Sequence, residues 1–376
     1  MESGPVIEAV DTFILDIPLE RPHVMSFGSP REVNFTLVRM EAQGGVIGWG
    51  EAATFQGPTW SEESAETIQV IIDRYLAPSL KGRNALHYNP LMAELEDRCR
   101  GNPFAKAAVE MALLDLAGRY LGQPLYVLLG GAFRRALDLS WSLASGKTET
   151  DLAEAREMMA RGHRIFKIKM GAGSEEEDVA KFKLLRRELG PAISLRADVN
   201  QGWDRRTALR AIQELEDSQP EFLEQPLPRW DLSGPAYLRQ KTSIPLMADE
   251  SLTDEHSAME IIRHGAADIF SYKLTKLGGM IRALAVYRLA AAAGLGSYIG
   301  CMIETSLGTA AYLQFGAALP RLDYGCELFG PLLLDGDIAS KPIEYAKGQV
   351  LVPQGPGLGI EVDEAQVEKY RRRWDR

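Results

Sequence analysis

The chain is 376 residues long, 45% apolar, with a formal charge of -10 and a pI near 5.2. That length suits two domains, and an acidic chain without a basic stripe argues against a nucleic-acid partner. No run of about 18 apolar residues marks a membrane span, Met1-Glu2-Ser3-Gly4-Pro5 does not read as a secretory leader, and Cys99, Cys301 and Cys326 show no ligand spacing and read as reduced core thiols of a cytoplasmic protein.

The first fifty residues read as strands. Ala9 to Leu15 and Asn34 to Met40 are β-rich, and Gly44 to Glu51 reads as the return strand of a hairpin. Arg21 to Pro30 and Ala52 to Pro58 carry the Gly and Pro of loops. Ser61 is expected to cap a helix, with Glu62 and Glu63 in its first turn. Helices follow at Leu91 to Cys99 and at Pro103 to Leu121. In the second, Ala105, Ala108, Val109, Ala112, Leu113 and Leu116 form an apolar stripe. Strands followed by helices suggest an α+β unit ending at Gly130-Gly131.

From Asp138 the pattern alternates. Strands are expected at Leu139 to Ala144, Arg164 to Met170, Ile193 to Asp198, Glu221 to Gln225, Pro245 to Asp249, Asp268 to Lys273, Tyr298 to Gly300 and Arg321 to Glu327. That is enough to close a barrel. Between them, Thr150 or Asp151, Asp204 and Asp254 open helices, and Gly162 and Gly265 end them. The remainder, rich in Gly and Pro and basic at its end, is expected to return to the first unit.

Successive strand ends carry charge. Asp198, Glu224, Asp249 and Lys273 follow one another at near-constant intervals of about 25 residues, as successive β-α units would place them. The strands thus deliver polar side chains to one end of one sheet, the end where β/α barrels carry active sites. Asp198, Glu224 and Asp249 offer oxygen ligands only, which suit Mg²⁺ or Mn²⁺ rather than zinc. Any one alone reads more simply as a solvated acid at a loop start; three on consecutive units beside lysines do not. Lys167 and Lys169 lie two apart and share one face of their strand, with Phe166 and Ile168 on the other. Side by side, each is expected to lower the pKa of the other, bringing one toward proton exchange near neutrality. Lys273 would reach the same space from across the barrel. A carboxylate substrate held by a divalent cation has its α-proton acidified, and a lysine on either face can remove or deliver that proton. Racemisation, β-elimination or ring closure could follow, depending on the rest of the pocket.

At these residues the chain resembles the enolase superfamily, in its muconate-lactonizing subgroup. The likeness is carried by Lys167 and Lys169 as Lys-x-Lys, by Asp198-x-Asn200, Glu224-Gln225-Pro226 and Ala248-Asp249-Glu250-Ser251, and by Lys273 with Leu277-Gly278-Gly279. It covers nearly the whole chain. It implies an α/β fold, with a (β/α)7β-type modified TIM barrel over residues 132–327. An α+β capping domain would occupy 1–131, and a segment from 328–376 would return to it. It implies that Asp198, Glu224 and Asp249 bind Mg²⁺ or Mn²⁺, that Lys169 is the general acid/base tuned by Lys167, and that Lys273 faces the other side of a small carboxylate substrate. It also implies a homo-oligomer, often an octamer.

Within the subgroup, Arg21-Pro22-His23 is similar to the substrate-covering loop of muconate cycloisomerases, and Glu327 to Leu334 to their eighth-strand segment, where Glu327 lies near the intermediate. In that reading a muconate carboxylate adds across a double bond and Lys169 protonates the resulting enolate. His23, Phe55, Asn200 and Phe329 are the expected substrate-binding residues. His23 could instead simply pack against Trp60.

Two stretches depart from that pattern. Phe55 makes the second loop bulky, and Gly300-Cys301-Met302-Ile303-Glu304-Thr305 is closer to dipeptide epimerases and acylamino-acid racemases. A racemase or epimerase of an N-acyl or N-substituted amino acid or a dipeptide therefore stands as the alternative, with a dehydratase or o-succinylbenzoate synthase beside it. Against the dipeptide epimerases, Arg321 stands where the first Asp of an Asp-x-Asp pair would be.

Overall fold

Three antiparallel strands open the chain. Ile7–Pro18 pairs with Glu32–Ala42, which pairs with Val46–Thr54. A computed structural model describes residues 4–373; Met1 to Ser3, and the end of the basic tail from Trp374 to Arg376, lie outside it. The third strand runs further than expected, through Ala52 and Ala53, because both are buried against the core. The second loop therefore starts at Phe55. Helix Pro103–Leu121 packs its apolar stripe on these strands.

Ser61 does not cap a helix. Ser64 does, in a capping box with Thr67, and the helix is Ala65–Ile71. Glu63 is drawn to another helix: its carboxylate accepts from the Phe104 and Ala105 amides at 2.8 and 3.2 Å, satisfying two free donors at the start of Pro103–Leu121. Glu62 turns outward and pairs with Arg229 of the barrel.

Seven parallel strands then follow in chain order: Trp141–Leu143, Ile165–Lys169, Ser194–Asp198, Leu223–Glu224, Leu246–Ala248, Ile269–Tyr272 and Gly296–Ile299. The expected eighth strand is not regular. Of Arg321 to Glu327, only Cys326 forms bridges, to Leu139 on one side and Ile299 on the other. Ser140 N donates to Cys326 O at 2.8 Å and Glu327 N to Ile299 O at 2.9 Å, so the last strand is joined to the first and the barrel closes. The stretch stays short because the Asp323 carboxylate takes the Ser297 amide at 3.1 Å, a donor that a longer ladder would have used.

Helices cover the barrel. Glu175–Leu189 shows why they form where they do. Ser174 and Glu177 make a capping box, acids fill the first turn, and Arg186 and Arg187 sit in the last. Asp204 and Asp254 cap Arg205–Leu215 and Glu255–His264 as expected. Helix Thr148–Ala160 begins earlier than expected; Asp151 lies inside its first turn, accepting from Ser145 N at 2.9 Å.

Inside the barrel, positions two apart on each strand form layers. Phe222, Met247, Ile269 and Tyr298 make a small apolar cluster of their own. Arg196 lies over Phe222 and Tyr298, with its guanidinium carbon 4.9 and 5.3 Å from the ring centroids, and pairs with Glu221. One step further along, Glu224 and Asp249 point into the mouth. The interior is thus plugged below and charged above.

Two buried acids of the N-terminal part tie it to the barrel. Glu110 accepts from the amides of Met280 and Ile281, which start helix Met280–Ala292. Glu51 accepts from Thr305 N at 3.0 Å and from the Thr305 hydroxyl, at the start of Ser306–Ala318. The C-terminal segment crosses both parts: Gln349–Leu351 pairs with Ala136–Asp138, and Leu334 and Arg371 bridge to Leu19 and Leu15. Among the described residues no helix is long and apolar enough to cross a membrane.

Candidate active site

Charge converges at the C-terminal ends of the strands. Lys167 and Lys169 face inward, while Phe166 and Ile168 are buried in the surrounding core. Strand register places Asp198 beside Lys169 and Glu224 beside Asp198. Lys167 Nζ lies 2.9 Å from Glu224 and 3.3 Å from Asp198, and also donates to Glu327. Lys169 Nζ donates to Asp198 Oδ2 at 2.6 Å and to Asn200 Oδ1 at 3.0 Å. Across the mouth, Lys273 donates to Asp249 Oδ2 at 2.7 Å.

Two participants escape a reading of strand ends. Lys276 donates to Asp249 Oδ1 at 2.6 Å from the short helix Leu274–Leu277. Its spacing of three from Lys273, which puts both on one side of a turn, was the available signal. Glu250 is buried, accepts from Asn200 Nδ2 at 3.1 Å, and was hidden behind its neighbour Asp249.

The electrostatics correct one expectation. Burial pulls the Lys167 ammonium down, but Glu224 and Glu327 outweigh it and hold its pKa well above the usual lysine value. Lys167 is therefore a fixed cation; its carboxylate contacts overwhelm the repulsion from Lys169. Burial pushes Asp249 up, yet Lys273 and Lys276 together hold it below the carboxylate range. Glu224 is pushed up to about 8 by burial and by Asp198. The acids crowd one another, and the ammonium groups hold them together.

That crowding bears on a cation. As the side chains stand, no group of three or more metal-ligating residues converges on one point among the described residues. Lys167 sits between Asp198 and Glu224, and Asp249 is taken by two lysines. The donor chemistry nevertheless fits a hard divalent ion. Every ligand is a carboxylate oxygen, the strands are adjacent, and Glu224 Oε1 is buried without a hydrogen-bond partner.

Above the charges lies an enclosed cavity of about 20 Å³, room for about one water. Its N-terminal wall is His23, Met25, Phe55 and Trp60; Lys169, Asn200, Lys273, Cys301, Ile303 and Glu327 come from the barrel, and Phe329 from the turn that follows it. The four residues expected to bind substrate thus line one cavity with Lys169 and Lys273. His23 stacks on Phe329 with centroids 6.1 Å apart, not on Trp60. Burial first, then Lys169 and Arg21, hold its pKa well below the usual value, so it is neutral at pH 7. Trp60 instead covers Lys273, whose ammonium lies 4.3 Å from the ring centroid. Wider clefts of about 780 and 720 Å³ open elsewhere on the surface, but neither borders any of these groups.

The first loop is pinned to the barrel from outside. Arg21 pairs with Glu154 at 2.9 Å and donates to Ser142 O, Val24 N donates to Ala144 O, and Ser26 Oγ donates to Asn200 O at 2.6 Å. Gln56 turns away from the cavity and accepts from Arg31 N at 2.9 Å.

Gly300, at the end of the seventh strand, gives Lys273 its path. A Cβ at 300 would come within 2.9 Å of Lys273 Cε and 2.8 Å of Ser271 Oγ. Gly300→Ala is therefore expected to displace the ammonium from Asp249 and to lower kcat about tenfold or more, the scale of a misplaced catalytic group, with little change in fold by circular dichroism. An unchanged kcat would show that Lys273 has another route.

The comparisons with known proteins settle the family. Residues 9–130 match the N-terminal domain model of mandelate racemase / muconate lactonizing enzyme, and residues 150–366 match the enolase C-terminal domain-like model. The chain belongs to the mandelate racemase / muconate lactonizing enzyme family. It is 42% identical over 367 residues to a chloromuconate cycloisomerase of Cupriavidus necator, covering 97% of this chain and 99% of that protein. It is 41% identical over 371 residues to muconate cycloisomerase 1 of Pseudomonas putida, covering 98% and 99%. A solved muconate lactonizing enzyme from Pseudomonas fluorescens, complexed with muconolactone, superposes with a TM-score of 0.96 at 40% identity, over 98% of this chain and 100% of that one. This family member is an isomerase, with the capped barrel that the resemblance implied.

Proposed function

We propose that this isomerase is a muconate-type cycloisomerase, closing a linear unsaturated dicarboxylate into a lactone through an enolate. One observation carries the reading beyond the family likeness. The cavity wall supplied by the N-terminal loops has apolar bulk and a neutral His23 but no acid, and the one acid in the cavity lining, Glu327, already receives Lys167. A substrate ammonium would be buried without a partner, which is costly. A diacid meets Lys169, Lys273 and Asn200 instead. Arg321 lies in an exposed stretch, and Asp323 beside it is engaged by Ser297 N and Arg321, so neither offers the carboxylate an epimerase of free dipeptides needs.

Asp198, Glu224 and Asp249 would hold one Mg²⁺ or Mn²⁺, which supplies positive charge where the enolate develops. The remaining work falls to this chain's own side chains. One substrate carboxylate adds across the double bond. Lys169, positioned by Asp198 and Asn200, delivers a proton to the α-carbon of the other end. Lys167, fixed as a cation by Glu224 and Glu327, and Lys273, covered by Trp60, stabilise the negative charge without moving a proton. His23, Phe55 and Phe329 exclude water. The cavity is too small for a six-carbon diacid as it stands, so the loops Arg21 to Ser29 and Phe55 to Thr59 must open for entry and close for chemistry. We place these functions on a cap of residues 1–131, a barrel of 132–327 and a returning segment of 328–376. The free thiols of Cys99, Cys301 and Cys326 suit a reducing, cytoplasmic setting.

The test is an ultraviolet assay with cis,cis-muconate and Mn²⁺, run beside a deuterium-exchange screen of N-acyl amino acids and unblocked dipeptides. Muconate should be converted to muconolactone, and free dipeptides should not be epimerised. Efficient epimerisation of an unblocked dipeptide with no lactonisation would overturn the reading.

A further inference from the structure

Eight non-glycine residues of the described chain have positive φ, and Ile303, at 59°, is the only β-branched one among them. A β-branched side chain is a genuine outlier in the left-handed region, and such a conformation persists only where its surroundings over-determine it. Here they do. Glu304 turns its carboxylate back onto Met302 N at 2.8 Å. Thr305, next along, is held by Glu51 through both its amide and its hydroxyl. On the other side, a Cβ on Gly330 would lie within 2.8 Å of the Ile303 carbonyl carbon, so only glycine lets the two segments approach. The segment is clamped between an N-terminal strand, the start of helix Ser306–Ala318 and the turn after Phe329. The result is a buried isoleucine on the wall of the reaction cavity, beside Cys301 and Phe329.

We propose that Ile303 is a specificity-determining residue: its side chain is the apolar surface on which the unsaturated carbon skeleton of the dicarboxylate rests, and the left-handed backbone is kept to present it. The inference rests on the cycloisomerase reading. Lys169, Asn200 and Lys273 take the polar ends of the substrate, which leaves the carbon chain to Ile303, Phe329 and Phe55.

Three variants separate this role from a purely structural one. Ile303→Ala and Ile303→Gly both delete the wall, but only glycine relieves the backbone. The glycine variant should therefore melt above the alanine variant, the reverse of the usual order. On muconate the two should be alike, with KM raised about tenfold or more and kcat within about threefold of the parent enzyme. Ile303→Val, which keeps the branch and loses one methyl, should raise KM about two- to fivefold. An unchanged KM in all three would overturn the proposal. So would activity that follows thermal stability, with alanine worse than glycine. A parent enzyme inert toward muconate would sink the cycloisomerase reading and the substrate contact with it, and the melting order would still report on the backbone.

Discussion

Lys169→Ala is expected to lower kcat on muconate by about 10²- to 10⁴-fold, the range contributed by a positioned proton donor, while the protein still binds its divalent cation. The side chain sits where a donor should. It is partly open to the cavity, with Asp198 and Asn200 fixing its ammonium at 2.6 and 3.0 Å. Nothing else in the cavity lining can replace it. Lys167 is locked among Glu224, Glu327 and Asp198, and Lys273 is held by Asp249 under Trp60. Removing Lys169 leaves Asp198 with Lys167 alone, so the affinity for Mn²⁺ by calorimetry should hold or rise. Normal turnover in this variant would refute the assignment of the proton to Lys169.

Asp249→Ala should abolish turnover and also destabilise the metal-free protein, by about 3–5 kcal/mol, the cost of breaking a buried ion pair by deleting one partner. The magnitude follows from Lys273 and Lys276, both buried and both paired with this single carboxylate. Asp198→Ala should cost less, because Lys167 keeps Glu224 and Glu327. Urea unfolding in the presence of a chelator measures both. Equal midpoints for the two variants would mean that charge pairing is not what holds the mouth of the barrel together.

The mouth was readable because it is built on a repeat. Charges at one point of successive β-α units specify a common face, and Lys167, Lys169, Asp198, Glu224, Asp249 and Lys273 meet there. Local signals also held for Asp204 and Asp254, whose side chains cap the helices that directly follow them. What failed was non-local. Ser61 and Ser64 are equally good caps in sequence, and the choice is made by helix Pro103–Leu121, which draws Glu63 away. The eighth strand failed because Asp323 takes a ladder donor that no propensity describes. The Lys167 pKa failed because adjacency in sequence counts one neighbouring lysine and leaves out Glu224 and Glu327, far apart in the chain, which barrel closure brings to the ammonium. Ile303 carries no signal at all, since isoleucine is among the last residues one would assign a positive φ.

The two acids that reach from the N-terminal part into the barrel divide the labour of the cap. Glu110 and Glu51 supply the missing first-turn acceptors of two barrel helices, so a barrel stripped of its cap would expose bare amide groups at both. Neither acid is among the residues that line the cavity, where His23, Met25 and Phe55 stand. A change at Glu51 would therefore reach the pocket through the anchor, because Glu51 grips Thr305, two residues from the strained Ile303.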